Sequence, residues 1–231
     1  MAEQVDFRRE RRTRLSRERV LRAALDLADQ RGIEALTMRG LAKELGVEAM
    51  SLYNHVANKG DLVAGIVDLV LGEIELPDDG DWDVAIRRCA ISAHDALLRH
   101  TWACSLVIAP GTAENVLTPR TRYMEWLLGR LRAGGFSADL TYHAYHALDS
   151  HILGFTMWQL GHSAAASNVT EGKDPAEWVA GVLRQFQAAD YRYLAEHVEQ
   201  HMNTPSDGGA SEFEFSLDLI LDGLRRLRDA E

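Results

Sequence analysis

Thr37-Met38-Arg39-Gly40-Leu41-Ala42-Lys43-Glu44-Leu45-Gly46-Val47-Glu48-Ala49-Met50-Ser51-Leu52-Tyr53-Asn54-His55-Val56 reads as two short helices crossing over a tight turn. Thr37 offers an N-cap hydroxyl to the first of them, and Gly46 supplies the permissive backbone that ends it. Ala42 is small where the second helix must approach, and Leu41, Leu45, Val47 and Leu52 fill the wedge between the two. With those side chains packed inward, Ala49, Met50, Ser51, Tyr53, Asn54 and His55 face outward. Such a face fits a DNA major groove, where small, polar and aromatic groups suit base edges, thymine methyls and phosphates. Tyr53 has a second reading as a packing residue on the first helix, and His55 as a cap. Thr37 and Lys59 sit at helix N-termini, where free N–H groups and the positive dipole end favour a phosphate, and Arg39 reaches either a phosphate or a base.

Helical periodicity extends outward from this segment in both directions, and no alternating run reaches strand length, so the expected fold class is all-α. A first helix starts at the Ser16 cap, buries Val20, Leu21, Ala24, Leu27 and Ala28, and stops at Gly32. A fourth begins at Asn58, with Asp61 completing a cap-like pair, and breaks at Pro77-Asp78-Asp79-Gly80. Beyond it the pattern predicts helices at 83–100, 119–134, 139–162, 175–202 and 211–229, with a short turn near Ser105. Residues 163–173 and 203–210 read as mobile. The expected division is a basic N-terminal arm at 1–15, a three-helix helix-turn-helix domain at 16–62, and a larger helical ligand-binding and dimerisation domain at 63–231.

Charge is distributed unevenly along this chain. Residues 1–60 hold 12 Lys and Arg against 9 Asp and Glu, a net +3, whereas the remainder carries 13 against 26, a net −13. A basic small part on an acidic large one suits local attraction to DNA with repulsion elsewhere. Arg8, Arg9, Arg11, Arg12, Arg14, Arg17 and Arg19 crowd the N-terminal end. They fit either an arm lying along phosphates or in a narrow minor groove, or a disordered solubilising tail. Neither long apolar stretch, 62–71 or 152–160, approaches the roughly 18 residues of a membrane span, and no signal-peptide core follows the arginines, so a cytoplasmic location without membrane contact is expected. Cys89 and Cys104 lack metal-ligand or disulfide spacing and read as small buried hydrophobes.

In the C-terminal part, Tyr142, Tyr145, His146 and Asp149 recur at helical spacing, giving a stripe that mixes aromatics with ionisable groups. With Met124 and Leu127 it forms a candidate pocket for a planar organic effector, the alternative being core packing. His143, His146 and His151 do not share one face, and no nucleophile triad, Gly-rich phosphate loop or HExxH motif occurs, so neither an enzyme nor a metal or cofactor site is expected. A helical enzyme or small-molecule-binding module is the alternative from another class.

The run from Leu36-Thr37-Met38-Arg39 through Gly46-Val47-Glu48, Leu52-Tyr53-Asn54-His55-Val56 and Asn58-Lys59 resembles the DNA-binding domain of the tetracycline-repressor (TetR) family. The resemblance implies that Thr37, Arg39, Ala49, Met50, Ser51, Tyr53, Asn54, His55 and Lys59 meet double-stranded DNA. Gly135-Phe136-Ser137 and Phe213-Glu214-Phe215-Ser216-Leu217-Asp218-Leu219-Ile220-Leu221-Asp222-Gly223-Leu224 resemble the tetracycline-repressor subgroup in its C-terminal domain. That likeness implies ligand contacts at Cys89, Ala93, Met124, Leu127, Tyr142, Tyr145, His146, Asp149 and Trp158, and a homodimer through the helices near 139–162 and 211–229. The apolar positions Phe213, Leu217, Ile220, Leu221, Leu224 and Leu227 independently suggest a last helix with more than one apolar contact.

A dimer would set two recognition helices about 34 to 36 Å apart on a palindromic operator. The sequence departs from the subgroup where the magnesium-ligating histidine is expected, reading Val107-Ile108-Ala109-Pro110-Gly111-Thr112, and Trp158 replaces an acidic position. The implied function is a repressor released by a small hydrophobic or aromatic effector other than magnesium-tetracycline. An activator or a ligand-independent regulator of the same fold is the alternative.

Overall fold

The computed structural model describes residues 15–107, 118–170, 174–203 and 211–231. These form eleven α-helices and, among the described residues, no strand. The chain divides into two compact units, one of Met1–Ile74 with Arg99–Arg122 and one of Glu75–Leu98 with Tyr123–Glu231.

In the first unit, α1 (Arg17–Arg31) is capped by the Ser16 hydroxyl, which accepts from the Arg19 N–H, and buries the five positions its periodicity predicts. A short 3-10 turn, Ile33–Ala35, leads to α2 (Met38–Leu45), α3 (Ala49–Leu52) and α4 (Lys59–Gly72). Leu36, Leu41, Leu52, Leu62 and Ile66 are fully enclosed. Each such side chain contributes about 1.5–3 kcal/mol through burial. The close approach of α4 to α1 depends on Gly65, where an added Cβ would lie 2.6 Å from a Leu21 methyl.

Residues 99–102 join this unit through a polar cluster. His100, at the end of α5 (Trp82–Arg99), shares its Nδ1 with Asp29 at 2.8 Å and its Nε2 with Glu73 at 3.3 Å. Trp102 donates its indole N–H to the same Asp29 at 2.7 Å, and Arg99 pairs with Glu73. The short α6 (Cys104–Val107) follows where a turn is expected near Ser105.

The second unit is built from α5, α7 (Pro119–Ala133), α8 (Ala138–Thr170) and α11 (Glu212–Asp229), with α9 (Pro175–Ala188) and α10 (Arg192–Asn203) between the last two. Leu127, Leu131, Leu148, Phe136 and Phe213 fill its core, and Trp82 meets Phe136 edge-on at 4.7 Å. Arg87 of α5 binds both Glu214 and Asp218 of α11 at 2.7 Å, clamping the two helices side by side.

Two sequence-based boundaries need correction. Residues 163–170, expected to be mobile, continue α8, because the alanines among Ser163 to Ser167 are strong helix formers that propagate a helix already nucleated. The expected single helix at 175–202 is two: Asp190 adopts φ 59°, and Tyr191 returns its N–H to the Phe186 carbonyl at 2.8 Å. Aspartate tolerates this left-handed geometry better than most residues, so an ending without glycine left little trace in the pattern. Of the stretches expected to be mobile, 163–173 and 203–210, residues 171–173 and 204–210 lie outside the described residues, and Asn203 ends α10.

Candidate DNA interface and sensing site

The helix-turn-helix forms as the sequence dictates. Thr37 Oγ1 accepts the Gly40 N–H at 3.1 Å, starting α2. Gly46 closes it at φ 65°, with Val47 N–H bonded to the Ala42 carbonyl at 3.0 Å. The left-handed conformation costs a residue bearing a Cβ roughly 1–2 kcal/mol, which explains the glycine. The chain then enters α3, whose single buried residue, Leu52, anchors it to the core.

None of the nine residues expected at DNA is buried. Thr37, Arg39, Met50, Tyr53, Asn54 and Lys59 are exposed, and Ala49, Ser51 and His55 are half-buried at the margin of the same face. Met50 is 75% and Tyr53 46% exposed, so each keeps surface open to a partner. Thr37 uses a lone pair of its hydroxyl on the cap, which leaves the O–H free to donate. Lys59 opens α4, whose cap is Asn58: its Oδ1 accepts the Asp61 N–H at 2.9 Å.

Of the arginine-rich end, Arg8, Arg9, Arg11, Arg12 and Arg14 lie outside the described residues. Arg17 belongs to α1 and, though exposed, is paired with groups of the same unit. Its guanidinium takes the Asp61 carboxylate at 2.8 and 3.0 Å and the His55 carbonyl at 2.9 Å. The side-chain hydrogen bond from Arg17, followed by that from the Ala57 N–H, holds the Asp61 carboxyl below its ordinary range. Spacing could not reveal this pair, because its members stand 44 residues apart.

The residues expected at the ligand divide into two groups. Cys89, Ala93 and Leu127 are buried, while Met124, Tyr145 and Asp149 are half-buried. Tyr142, His146 and Trp158 stand exposed on α8, at 60% for Tyr142 and 52% for Trp158. The ridge α8 turns inward is instead Thr141, Ala144, Leu148, Ile152 and Thr156, one position removed from the aromatic stripe. Sequence reading missed Tyr123, which is buried and hydrogen-bonded to Asp149; desolvation foremost, then the Asp149 charge, raises its pKa well above the ordinary value. Burial pushes the Cys89 thiol up to about 12, in keeping with a packing role. Residues 108–112, part of the stretch that departs from the magnesium-binding pattern, lie outside the described residues.

Sequence reading also missed a stacked triad in the second unit. Phe213 lies between His94, parallel at 4.0 Å, and His151, nearly parallel at 4.9 Å. Thr156 donates its hydroxyl proton to the Ile152 carbonyl at 2.6 Å, so it accepts from His94 Nδ1 at 2.7 Å. In the first unit, an open cleft of about 760 Å³ is lined by Leu25, Asp29, Asp68, Glu73, His100 and Arg122, among others. None of the nine residues expected at the ligand lines it.

Comparison with known proteins agrees with this geometry. Residues 20–66 match the family model described as bacterial regulatory proteins, tetR family, and residues 76–228 match the tetracyclin repressor-like, C-terminal domain. An HTH-type transcriptional regulator of Saccharopolyspora erythraea is 31% identical over 212 residues, covering 88% of this chain and 82% of its own length. The HTH-type transcriptional repressor DrrR1 of Streptomyces coeruleorubidus is 31% identical over 224 residues, covering 92% and 78% respectively. The structure of ActR from Streptomyces coelicolor in complex with actinorhodin is similar with a TM-score of 0.70 and 26% identity, covering 93% of this chain and 99% of that one. With a DNA-binding segment and a C-terminal body both matched, the chain belongs to the tetracycline-repressor (TetR) family, whose members are DNA-binding transcription regulators and not enzymes.

Proposed function

We propose that this protein is a ligand-released repressor, a homodimer that holds a palindromic operator and lets go when a small hydrophobic or aromatic effector binds its C-terminal part. The observation that carries the DNA interface is the sorting around α3: Leu41 and Leu52 are fully enclosed while every expected DNA contact remains reachable. Residues 16–62 serve as the DNA-binding domain, preceded by a basic arm at 1–15, and residues 63–231 serve ligand binding and dimerisation.

Dimerisation is supported by surplus apolar surface. Beyond the buried ridge of Phe213, Leu217, Leu221 and Leu224, α11 exposes Phe215, Leu219 and Leu227, and α8 exposes Tyr142, Met157 and Trp158. Exposed apolar side chains on two helices of one unit fit a contact site, and a symmetric dimer would cover them on both copies at once. For the effector, the buried Cys89, Ala93 and Leu127 beside the Tyr123–Asp149 pair offer an apolar wall with a polar handle. ActR, which shares the fold, was solved with actinorhodin. For Tyr142, His146 and Trp158 the ligand assignment rests on family likeness. No helix among the described residues is long and apolar enough to cross a membrane, in keeping with action in the cytoplasm. Release requires only that the effector bind the non-operator state more tightly than the operator-bound one.

The test is a gel shift on a duplex selected from a random pool by the wild-type protein. Tyr53→Ala should lose about tenfold or more in affinity, and Lys59→Ala should lower the salt slope by about one. Sequence-specific binding that ignores both changes would remove α3 from the interface. Sedimentation at working concentration should give a dimer, and a thermal-shift panel that includes actinorhodin should find ligands that raise the melting temperature.

A further inference from the structure

The recognition element is too short to hold its own direction. Ala49–Leu52 makes a single turn, and its N-cap residue, Glu48, forms no side-chain cap hydrogen bond. An isolated turn of helix is unstable, so the orientation of Ser51, Tyr53 and His55 must be fixed by contacts from outside. Leu52 fixes one end by burial. The turn that follows it is fixed by polar contacts converging on one guanidinium.

Arg17 Nη1 donates to the His55 carbonyl at 2.9 Å and to Asp61 Oδ2 at 3.0 Å, and Nη2 donates to Asp61 Oδ1 at 2.8 Å. Asp61 Oδ2 also accepts the Ala57 N–H at 2.8 Å, while the Asp61 N–H is held by Asn58. The start of α1, the turn after α3 and the start of α4 are therefore tied at one point, with Tyr53, His55 and Lys59 around it. A carboxylate close to a phosphate-binding face repels DNA, and its presence here calls for a compensating role.

We propose that Arg17 and Asp61 form a clamp that sets the orientation of the recognition turn on DNA, which makes Arg17 a positioning residue and not a phosphate contact. The clamp rests on the reading that α3 faces DNA. It departs from what the basic N-terminal end suggests, since Arg17, the first of those arginines among the described residues, is already paired with Asp61. Bidentate geometry matters to it, because a lysine at this position cannot engage both carboxylate oxygens and the His55 carbonyl in one plane.

The sign of a charge-neutralising change separates the two roles. If Arg17 serves a phosphate, Asp61→Asn frees it and removes a repulsive charge, so operator binding tightens, and Arg17→Ala lowers the salt slope by about one. If the pair is a clamp, Asp61→Asn, Arg17→Lys and Arg17→Ala each weaken specific binding by about tenfold with the salt slope unchanged, and the double change Arg17→Ala with Asp61→Asn costs little more than either alone. Binding to an unrelated duplex should stay as in the wild type, which a general loss of folding would not leave intact.

The measurement is titration of the full-length protein and these variants, at several salt concentrations, against the selected duplex and a scrambled one. Melting temperatures are recorded in parallel, and the conservative Asp61→Asn and Arg17→Lys carry the test should Arg17→Ala unfold. Tighter binding by Asp61→Asn, a lower slope for Arg17→Ala, additive losses, or wild-type binding by all three would each overturn the clamp. Tyr53→Ala is measured beside them: if it binds as the wild type does, the DNA-facing assignment of α3 fails, whereas loss in Tyr53→Ala with none in the Arg17 and Asp61 variants sinks the clamp alone.

Discussion

The polar groups around α3 and those at the joint of α5, α8 and α11 solve opposite problems. Around α3 the side chains stay in contact with water, and Thr37 and Asn58 spend a lone pair on caps while retaining groups that can still bond outward. At the joint, His94 and Thr156 are buried and must find partners within the protein, so their hydrogen bonds are locked to the packing around Phe213. Surface polar groups cost little to keep and can be handed to a partner, whereas buried ones cost stability whenever a partner is lost. The first arrangement suits recognition of an external surface. The second suits an interior whose changes are felt through the fold.

The contrast can be broken most forcefully at Phe213, only 1% exposed and stacked between two imidazoles. Phe213→Ala should cost about 3–5 kcal/mol in urea unfolding, since it leaves a cavity and two imidazoles without their shared face. Gly46→Ala tests the turn between α2 and α3 and should cost about 1–2 kcal/mol, because its φ of 65° is strained for any residue with a Cβ. Thr37→Ala, which removes the α2 cap, should cost about 1 kcal/mol and weaken DNA binding as well. Tyr53→Ala should sharpen the comparison from the other side. As a change at an exposed position it should leave stability within about 0.5 kcal/mol of the wild type while affinity for DNA drops.

Acid offers a further test, with different windows for the two regions. Burial holds the His94 and His151 imidazoles below their ordinary value of 6.5, so just below that pH the unfolded chain takes protons that the folded one refuses. Stability is therefore complete above about pH 6.5 and declines as pH falls, until the folded histidines titrate too. His94→Gln with His151→Gln should flatten the fall in melting temperature between about pH 7.5 and about pH 5.5. Asp61 works in the same direction but in a lower window: its carboxyl is held below 3.8, so its contribution is intact above that value and is lost only as pH falls beneath it. An equal fall in the double-glutamine protein would remove the buried histidines as the cause.

How far each region could be read in advance follows from the range of its contacts. The α2–α3 hairpin was legible because its determinants are local: Thr37 caps three residues ahead, Gly46 closes on Ala42 and Lys43, and the apolar wedge lies within one short segment. The α8 stripe was legible as a pattern but not as a direction. Tyr142, Tyr145, His146 and Asp149 do share helical spacing, yet α8 buries Thr141, Ala144, Leu148 and Ile152, and only neighbouring helices decide which ridge turns inward. Tyr123 and the stacking of His94 and His151 on Phe213 escaped notice because a lone tyrosine or a contact between distant rings carries no periodic signal.

The sequence by itself determined the all-helical class, the helix-turn-helix, the helix starts capped by Ser16, Thr37 and Asn58, and the surplus apolar face of α11. These depend on backbone hydrogen bonds and side-chain periodicity within a few residues. Only the tertiary structure decided that Arg17 serves Asp61, that His100 bridges Asp29 and Glu73, and that Phe213 sits between His94 and His151. Each of those joins residues distant along the chain, and such partners are selected by the packing of whole helices, which no local spacing encodes.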